Sequence, residues 1–295
     1  MLHPWLIANG RHQIITGSMK YPKIYHREYE VPENTRDAIN CIWYSKILFT
    51  KQLTSYEIIP DGYTEITFHF GEPCYVSIDG TLQPLPSPSM MGLFNKPVHL
   101  HSENQLEVLG IRCFPWTVFD LLDIPSTKKS IHIFEHPLAK LQDELSMFVE
   151  AGNITAAVHL LTRYFAKARE NVAIDSLLSK AGIAMRAANG NMPVNQVASK
   201  AHATVRTLER KFKKSSGYTV KDVSSLMRFE KVRNELWSHP DANIAGLAID
   251  AGYTDQAHLS REFKRFSGTT PAVFAREALK RQEVTDRDFV AFVQS

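Results

Sequence analysis

The chain has 295 residues, 44% hydrophobic and 22% charged, with a net charge of +3, a composition and length that suit a globular protein of about two domains. No apolar run reaches the ~18 residues of a membrane span, and the N-terminus lacks the basic start and apolar core of an export signal. Three scattered cysteines (Cys41, Cys74, Cys113) offer no CxxC spacing for zinc, so a reducing cytoplasm is the expected compartment.

Residues 1–135 read mostly as strands. Tyr63 to Phe70 carries β-branched and aromatic residues and ends at Gly71. Cys74 to Ile78 runs into Asp79-Gly80, a hairpin signal. Val98 to His101 and Leu106 to Phe114 are further strands, and Pro84, Pro86 and Pro88 mark a loop. Short strands with frequent turns favour a small antiparallel barrel or sandwich.

The pattern then turns helical. Leu138, Leu141, Leu145 and Phe148 form one apolar stripe. After Gly152-Asn153, Ile154, Val158, Leu161 and Phe165 form a second, and a third helix is expected over 174–187. These stripes can pack on their own domain or form a dimer seam, and spacing does not separate the two. Asn189-Gly190-Asn191 reads as a linker or boundary.

Residues 192–281 read as helix throughout and contain a repeat. Leu208, Arg210, Phe212, Gly217 and Thr219 recur 51 positions later as Leu259, Arg261, Phe263, Gly268 and Thr270. Leu and Phe four apart share a helix face from which the Arg between them points away. Thr204, Thr219 and Asp255 suit helix N-caps, Gly217 and Gly268 suit helix ends, and Pro271 suits a first helical position. Each half is a short helix, a tight turn and a second helix, the helix-turn-helix plan whose second helix enters the major groove. A long helix over 219–237 joins the halves. Basicity belongs to this region: residues 192–281 carry 16 Lys and Arg against 9 Asp and Glu, while 1–191 carry 17 against 19. A basic module beside a near-neutral one suggests nucleic-acid binding beside sensing or assembly, the alternative being a solvated basic face.

Val197-Ala198, Thr204, Leu208, Arg210, Phe212, Gly217 and Arg228 resemble the first helix-turn-helix of AraC-type transcription regulators. Leu247-Ala248, Gly252-Tyr253, Asp255-Gln256, Leu259, Arg261 to Arg265, Gly268, Pro271 and Phe274 resemble the second. Ile59 to Gly62 and Leu109 to Pro115 resemble more weakly the N-terminal region of one AraC-type subgroup. The resemblance implies an α+β chain: a cupin-like antiparallel β barrel (about 1–135) with a helical segment (about 136–188), together forming a sensing or dimerisation domain at 1–188. An all-α double helix-turn-helix DNA-binding domain follows at 189–282, with a tail at 283–295. Two departures stand out. The first turn has His202 where the family has Gly, and Ala198 to Leu208 spans ten residues where Ala248 to Leu259 spans eleven.

The implied function is sequence-specific binding of double-stranded DNA in successive major grooves, controlled by a small effector. RNA polymerase and a second copy of the chain are the implied protein partners; no cofactor, catalysis or membrane is implied. Arg206, Glu209, Arg210 and Lys213 are expected on the first reading face, and Gln256, Ala257, His258, Arg261 and Lys264 on the second. Arg suits guanine O6 and N7, Glu suits cytosine N4, and Ala suits a thymine methyl. Internal ion pairing is the alternative for Arg210 and Arg261, and Glu209 can instead orient a neighbouring Arg. Trp43, Tyr63, Phe68, Phe70 and Tyr75, with Phe114, are candidates for an apolar effector pocket or plain core. An enzyme reading makes the chain a metal-dependent cupin with an attached DNA-binding domain. Gly92, His99, His101 and Glu107 approach the cupin metal pattern, but their spacings run slightly long, so no metal is expected. A repair methyltransferase would need a thiolate cluster that the three cysteines do not form.

Overall fold

The computed structural model describes residues 13–15, 23–49, 54–78, 80–124, 131–132, 136–172 and 175–280. Asp79 of the expected hairpin turn and the tail expected at 283–295 lie outside them. Eleven strands are described: β1 (Gln13–Ile15), β2 (Lys23–Tyr29), β3 (Ile39–Leu48), β4 (Thr54–Ile58), β5 (Thr64–Phe70), β6 (Tyr75–Ile78), β7 (Thr81–Pro84), β8 (Ser89–Met91), β9 (Val98–Ser102), β10 (Gln105–Cys113) and β11 (Ile131–His132). They form two antiparallel sheets, one ordered β1-β2-β3-β10-β5-β8-β11 and one ordered β4-β9-β6-β7. The sheets share no strand among the described residues, so the cupin-like β region is an open pair of sheets rather than a closed barrel. Pro84, expected in a loop, ends β7 at the edge of the smaller sheet, where a missing N–H costs no ladder bond.

The larger sheet is buried on both faces. On β5 and β10, Ile66, Phe68 and Phe70 join Leu109, Ile111 and Cys113 on one side. That side is covered by α1 (Val118–Leu122), α2 (Gln142–Glu150) and α3 (Ile154–Glu170). Leu138, Leu145, Leu161 and Phe165 are all buried there, so both apolar stripes pack on the chain's own sheet. Asn153 starts α3 by accepting from Ala156 N, and Gly152 supplies the positive φ of 68° that turns the chain between α2 and α3. The opposite face carries Ile47, Leu106 and Val108 against Val76 and Leu100 of the smaller sheet.

The helical half consists of α4 (Ser176–Ala187), α5 (Val194–Lys200), α6 (Val205–Ser216), α7 (Val220–Ser238), α8 (Ile244–Asp250) and α9 (Gln256–Ser267), then helix α10 over 271–280. Among the described residues, no helix is long and apolar enough to cross a membrane. Leu178, Ala181 and Met185 of α4 share one core with Leu208, Phe212, Phe229, Leu259 and Phe263. Asn189 and Gly190, both at positive φ, make a tight turn within this core, not a break between two cores.

The two copies of the repeat are built alike. Thr204 and Asp255 cap α6 and α9 by accepting from Thr207 N and His258 N. Ser216 and Ser267 each donate to the carbonyl of the repeated Phe, Phe212 or Phe263, at 2.8 Å. Gly217 and Gly268 close the helices at φ 76° and 73°. In the turns, Ala203 N bonds Ala198 O at 2.9 Å and Tyr253 N bonds Ala248 O at 2.8 Å. His202 therefore occupies the left-handed position that Gly252 occupies in the other copy, at φ 53° against 74°. The geometry survives the substitution because histidine tolerates this region better than most residues. Gly252 has less freedom, since a Cβ there would overlap the Asn191 amide.

The β and helical regions meet around Trp116, which is fully buried. Its ring stacks on Phe114 at 5.2 Å and lies 5.9 Å from Phe212 of α6. Gly182 of α4 leaves the space that the indole fills. Ser215 donates to Trp116 O, and Tyr218 donates to Leu93 O at 2.7 Å.

Replacing Gly252 by Ala is expected to lower stability by at least about 1–2 kcal/mol, the cost of a left-handed Cβ, with the Asn191 overlap added. His202→Gly should change it by less than about 1 kcal/mol. Urea unfolding of both variants measures the contrast.

Candidate nucleic-acid interface and inter-sheet cavity

On α6 the buried line of Leu208 and Phe212 forces Arg206, Arg210 and Lys213 to the opposite, exposed side. On α9, burial of Leu259, Phe263 and Phe266 leaves Gln256, Ala257, Arg261 and Lys264 exposed. Among the described residues, Arg206, Arg210, Lys213, Arg261 and Lys264 make no ion pair with a carboxylate, so the internal pairing open to Arg210 and Arg261 is not made there. Glu209 is only partly exposed, and its carboxylate accepts from Val220 N at 3.4 Å, at the start of α7, where a negative charge is favoured. His258 is half-buried: Nδ1 lies 3.4 Å from Thr254 Oγ1, and its ring meets Tyr253 edge-on.

The helix α7 carries the device that holds the two copies together. Thr219 and Asp222 form a reciprocal capping box at its start. Arg228 donates to Gly190 O at 3.2 Å and lies 3.6 Å from Glu262 of α9. At 19 residues, α7 is about 28 Å long.

A second site lies between the sheets. A cavity of about 130 Å³ is bounded by Ile47, Ile58, Leu100, Leu106 and Val108 at its apolar part and by His26, Asp61, Glu65, His69, Arg112, Glu230 and Arg233 at its polar part. Glu230, Arg233 and Asn234 belong to α7, so the helix joining the two halves of the repeat is also a wall of the cavity. A wider cleft of about 550 Å³ on the outer side shares Glu230 and Asn234.

The charges are closely held. Arg112 donates to Glu65 at 2.9 Å and to Glu28 at 3.2 Å. Arg233 is buried; it donates to Pro60 O at 3.2 Å and lies 3.6 Å from Glu230. Burial raises the Glu65 and Glu230 carboxyls above their ordinary range, against the pull of Arg112 and Arg233 respectively. Burial also lowers the Arg233 guanidinium to about 10 and the His69 imidazole to about 4.

Of the expected pocket residues, only Trp43 lines this cavity. Its indole lies over Gly110, its partner across β3 and β10, where any Cβ would collide with the ring. Phe68 and Phe70 face the helical side of the sheet. Tyr63 and Phe114 pack together at 5.8 Å beside the helical core, and Tyr75 lies outside the cavity lining. The cavity takes the other parity of β5, Glu65, Thr67 and His69, because the sheet is covered on both faces and a one-residue step exchanges them. Polar residues alternating with Ile66, Phe68 and Phe70 were the available sequence signal. His99 and His101 flank the cavity-lining Leu100 and are not in its lining; His99 pairs with Ser55 at 3.3 Å. Glu107 lies on the other sheet, held by Tyr44 and Lys46. Among the described residues, no three His, Cys, Asp or Glu side chains gather in a metal-binding group.

A helix-turn-helix domain family matches residues 197–277, the span that carries both copies of the capped, glycine-closed pair. Residues 197–277 therefore carry a helix-turn-helix domain of that family. That domain supports a DNA-binding transcriptional regulator. A second family, a domain of unknown function (DUF6597), matches residues 27–130 in the β region. No curated protein matches the chain. Among solved structures, ToxT from Vibrio cholerae strain SCE256 with a bound unsaturated fatty acid is 12% identical, over 76% of this chain and 91% of ToxT, at a TM-score of 0.43. The DNA-binding domain of the global transcriptional factor AdpA, in complex with a target DNA, is 21% identical over 37% of this chain and 97% of its own, at 0.34. A probable AraC family regulator from Rhodopseudomonas palustris CGA009 is 17% identical over 35% and 98%, at 0.32.

The buried histidine gives the protein a pH signature. The folded protein keeps His69 neutral down to about pH 4, whereas the unfolded chain takes up the proton near 6.5. Stability present above about pH 6.5 is therefore lost as the pH falls toward 4. Urea unfolding across this window should show a steeper decline for the native protein than for His69→Asn, by about 3 kcal/mol in total.

Proposed function

We propose that the protein reads an operator with two unequal helices, α6 and α9, and that a small effector in the inter-sheet cavity controls this reading. The first helix presents Arg206, Arg210 and Lys213; the second presents Gln256, Ala257, Arg261 and Lys264. The observation that carries the reading is the pair of exposed basic faces, each directly behind a buried Leu and Phe, on two like-built helices joined by α7. Arg210 and Arg261 then contact base edges, while the lysines neutralise phosphates and position the heads. Glu209 serves the start of α7, and His258 steadies the turn before α9.

The effector part rests on a cavity with polar and apolar walls, closed in part by α7. Occupancy there acts directly on the element between the reading helices. The helical unit includes α4, which shares its core, so the working division lies between α3 and α4, with the tail beyond α10. A second copy of the chain would double the operator into repeated half-sites, and RNA polymerase is the partner through which binding changes transcription.

Arg261→Ala is expected to weaken specific DNA binding by about 1–3 kcal/mol and to relax preference at one base position. Selection of bound sequences from random DNA, with each variant checked for folding, measures this. An unchanged preference in folded Arg261→Ala would refute the assignment. Affinity should also fall steeply with salt, and Lys213→Ala should make that slope shallower by about one unit without altering sequence preference.

A further inference from the structure

The cavity holds more carboxylate than it can neutralise. Asp61, Glu65 and Glu230 line it, and Glu28 adjoins it through Arg112. Against these four acids stand two guanidiniums, Arg112 and Arg233, both already engaged with carboxylates or carbonyls. The two histidines add no compensating charge, since burial lowers both His26 and His69. Their nitrogens also point to a missing partner. His26 is 7% exposed and His69 9%, and both line the cavity. Among the described residues, His69 Nδ1 makes no hydrogen bond, and neither does either ring nitrogen of His26. The carboxylate nearest His26, that of Glu28, lies 3.9 Å away. Neutral His26 therefore has an acceptor nitrogen and an N–H donor that are both unpartnered, and His69 Nδ1 adds a third unsatisfied ring position beside the carboxylates.

The rest of the cavity is apolar, and its volume of about 130 Å³ is close to the ~150 Å³ that accommodates benzene in an engineered protein cavity. The Trp43 indole adds an aromatic wall beside this acidic end, and a cation at a desolvated aromatic face is favoured further.

We propose that the effector is a small amphipathic cation: a primary ammonium or amidinium on a hydrocarbon body about the size of one aromatic ring. Its N–H groups face Glu65, Glu230 and the bare histidine nitrogens, and its body lies among Ile47, Leu100, Leu106 and Val108. The ligand thus links β5 to α7 through one positive charge. This rests on the effector reading above and adds the chemistry of the ligand.

The test is calorimetric titration of the full chain with three probes of one shape: benzylamine, benzyl alcohol and benzoate. The amine should bind at least about tenfold more tightly than the alcohol, with benzoate weakest. Glu65→Gln and Glu230→Gln, which keep the side-chain shape, should each remove most of the amine's advantage while leaving the alcohol unchanged. Two substitutions on different elements keep the test decisive if one impairs folding. Tighter binding of benzoate or of the alcohol would overturn the cationic assignment and leave the effector reading standing. Binding of the amine that is unchanged in both folded variants would also overturn it, because the charge would then be held elsewhere. If none of the probes binds, the cationic assignment falls. DNA binding measured against pools of other small molecules then decides the effector reading separately.

Discussion

Burial of Trp116 is the constraint on which the arrangement of the two halves depends. The ring comes from the segment just after β10, yet its neighbours are Phe114, Phe212 of α6 and the bare backbone of Gly182. Arg186 covers the Phe114 ring at 4.0 Å and the indole at 5.6 Å, so a cation seals the aromatic stack on the α4 side. A side chain of this size dominates the energetics of any interface it fills. Because the back of α6 is part of that packing, this helix is fixed to the β region by its buried side while its basic side stays open. The hydrogen bonds of Ser215 and Tyr218 then set the angle of the α6–α7 junction against the same surface.

The helical half was legible in the sequence because its signals are local. Caps, left-handed stops and buried Leu–Phe pairs each depend on residues within one or two turns. The 51-residue repeat reports them twice, and the two serines that echo each other at 216 and 267 extend it further. The β region was less legible for a physical reason. A sheet covered on both faces buries both parities of each strand, so period-two alternation identifies strands without saying which face holds a cavity. Phe68 and Phe70 looked like pocket residues and proved to be core beneath α1–α3, while Thr67 and His69 face the open space. The third side of the cavity was beyond any local signal, since it pairs Pro60 with Arg233 across 173 positions of chain.

The two copies of the repeat show how one geometry tolerates different residues when its neighbours differ. Gly252 is pressed by Asn191, so glycine is required twice over, for its backbone and for its missing Cβ. His202 sits at the same left-handed position and remains exposed. The charged neighbours differ too. Glu262 on α9 is drawn to Arg228 and Arg265, whereas at its counterpart on α6 Lys211 reaches Asp175 at the start of α4. One copy is therefore bound to the connecting helix and the other to the helix before the module.

The double role of α7 has a geometric consequence. It is at once a wall of the cavity and the spacer between the two helices proposed to read a helical lattice. DNA advances about 3.4 Å and about a tenth of a turn per base pair, so a slide or roll of the spacer is read by the duplex as a change of phase. A wall displaced by even one base-pair step puts the second head on a different azimuth of the groove. Under the function proposed above, the number of base pairs between half-sites and the filling of the cavity are two expressions of a single coordinate.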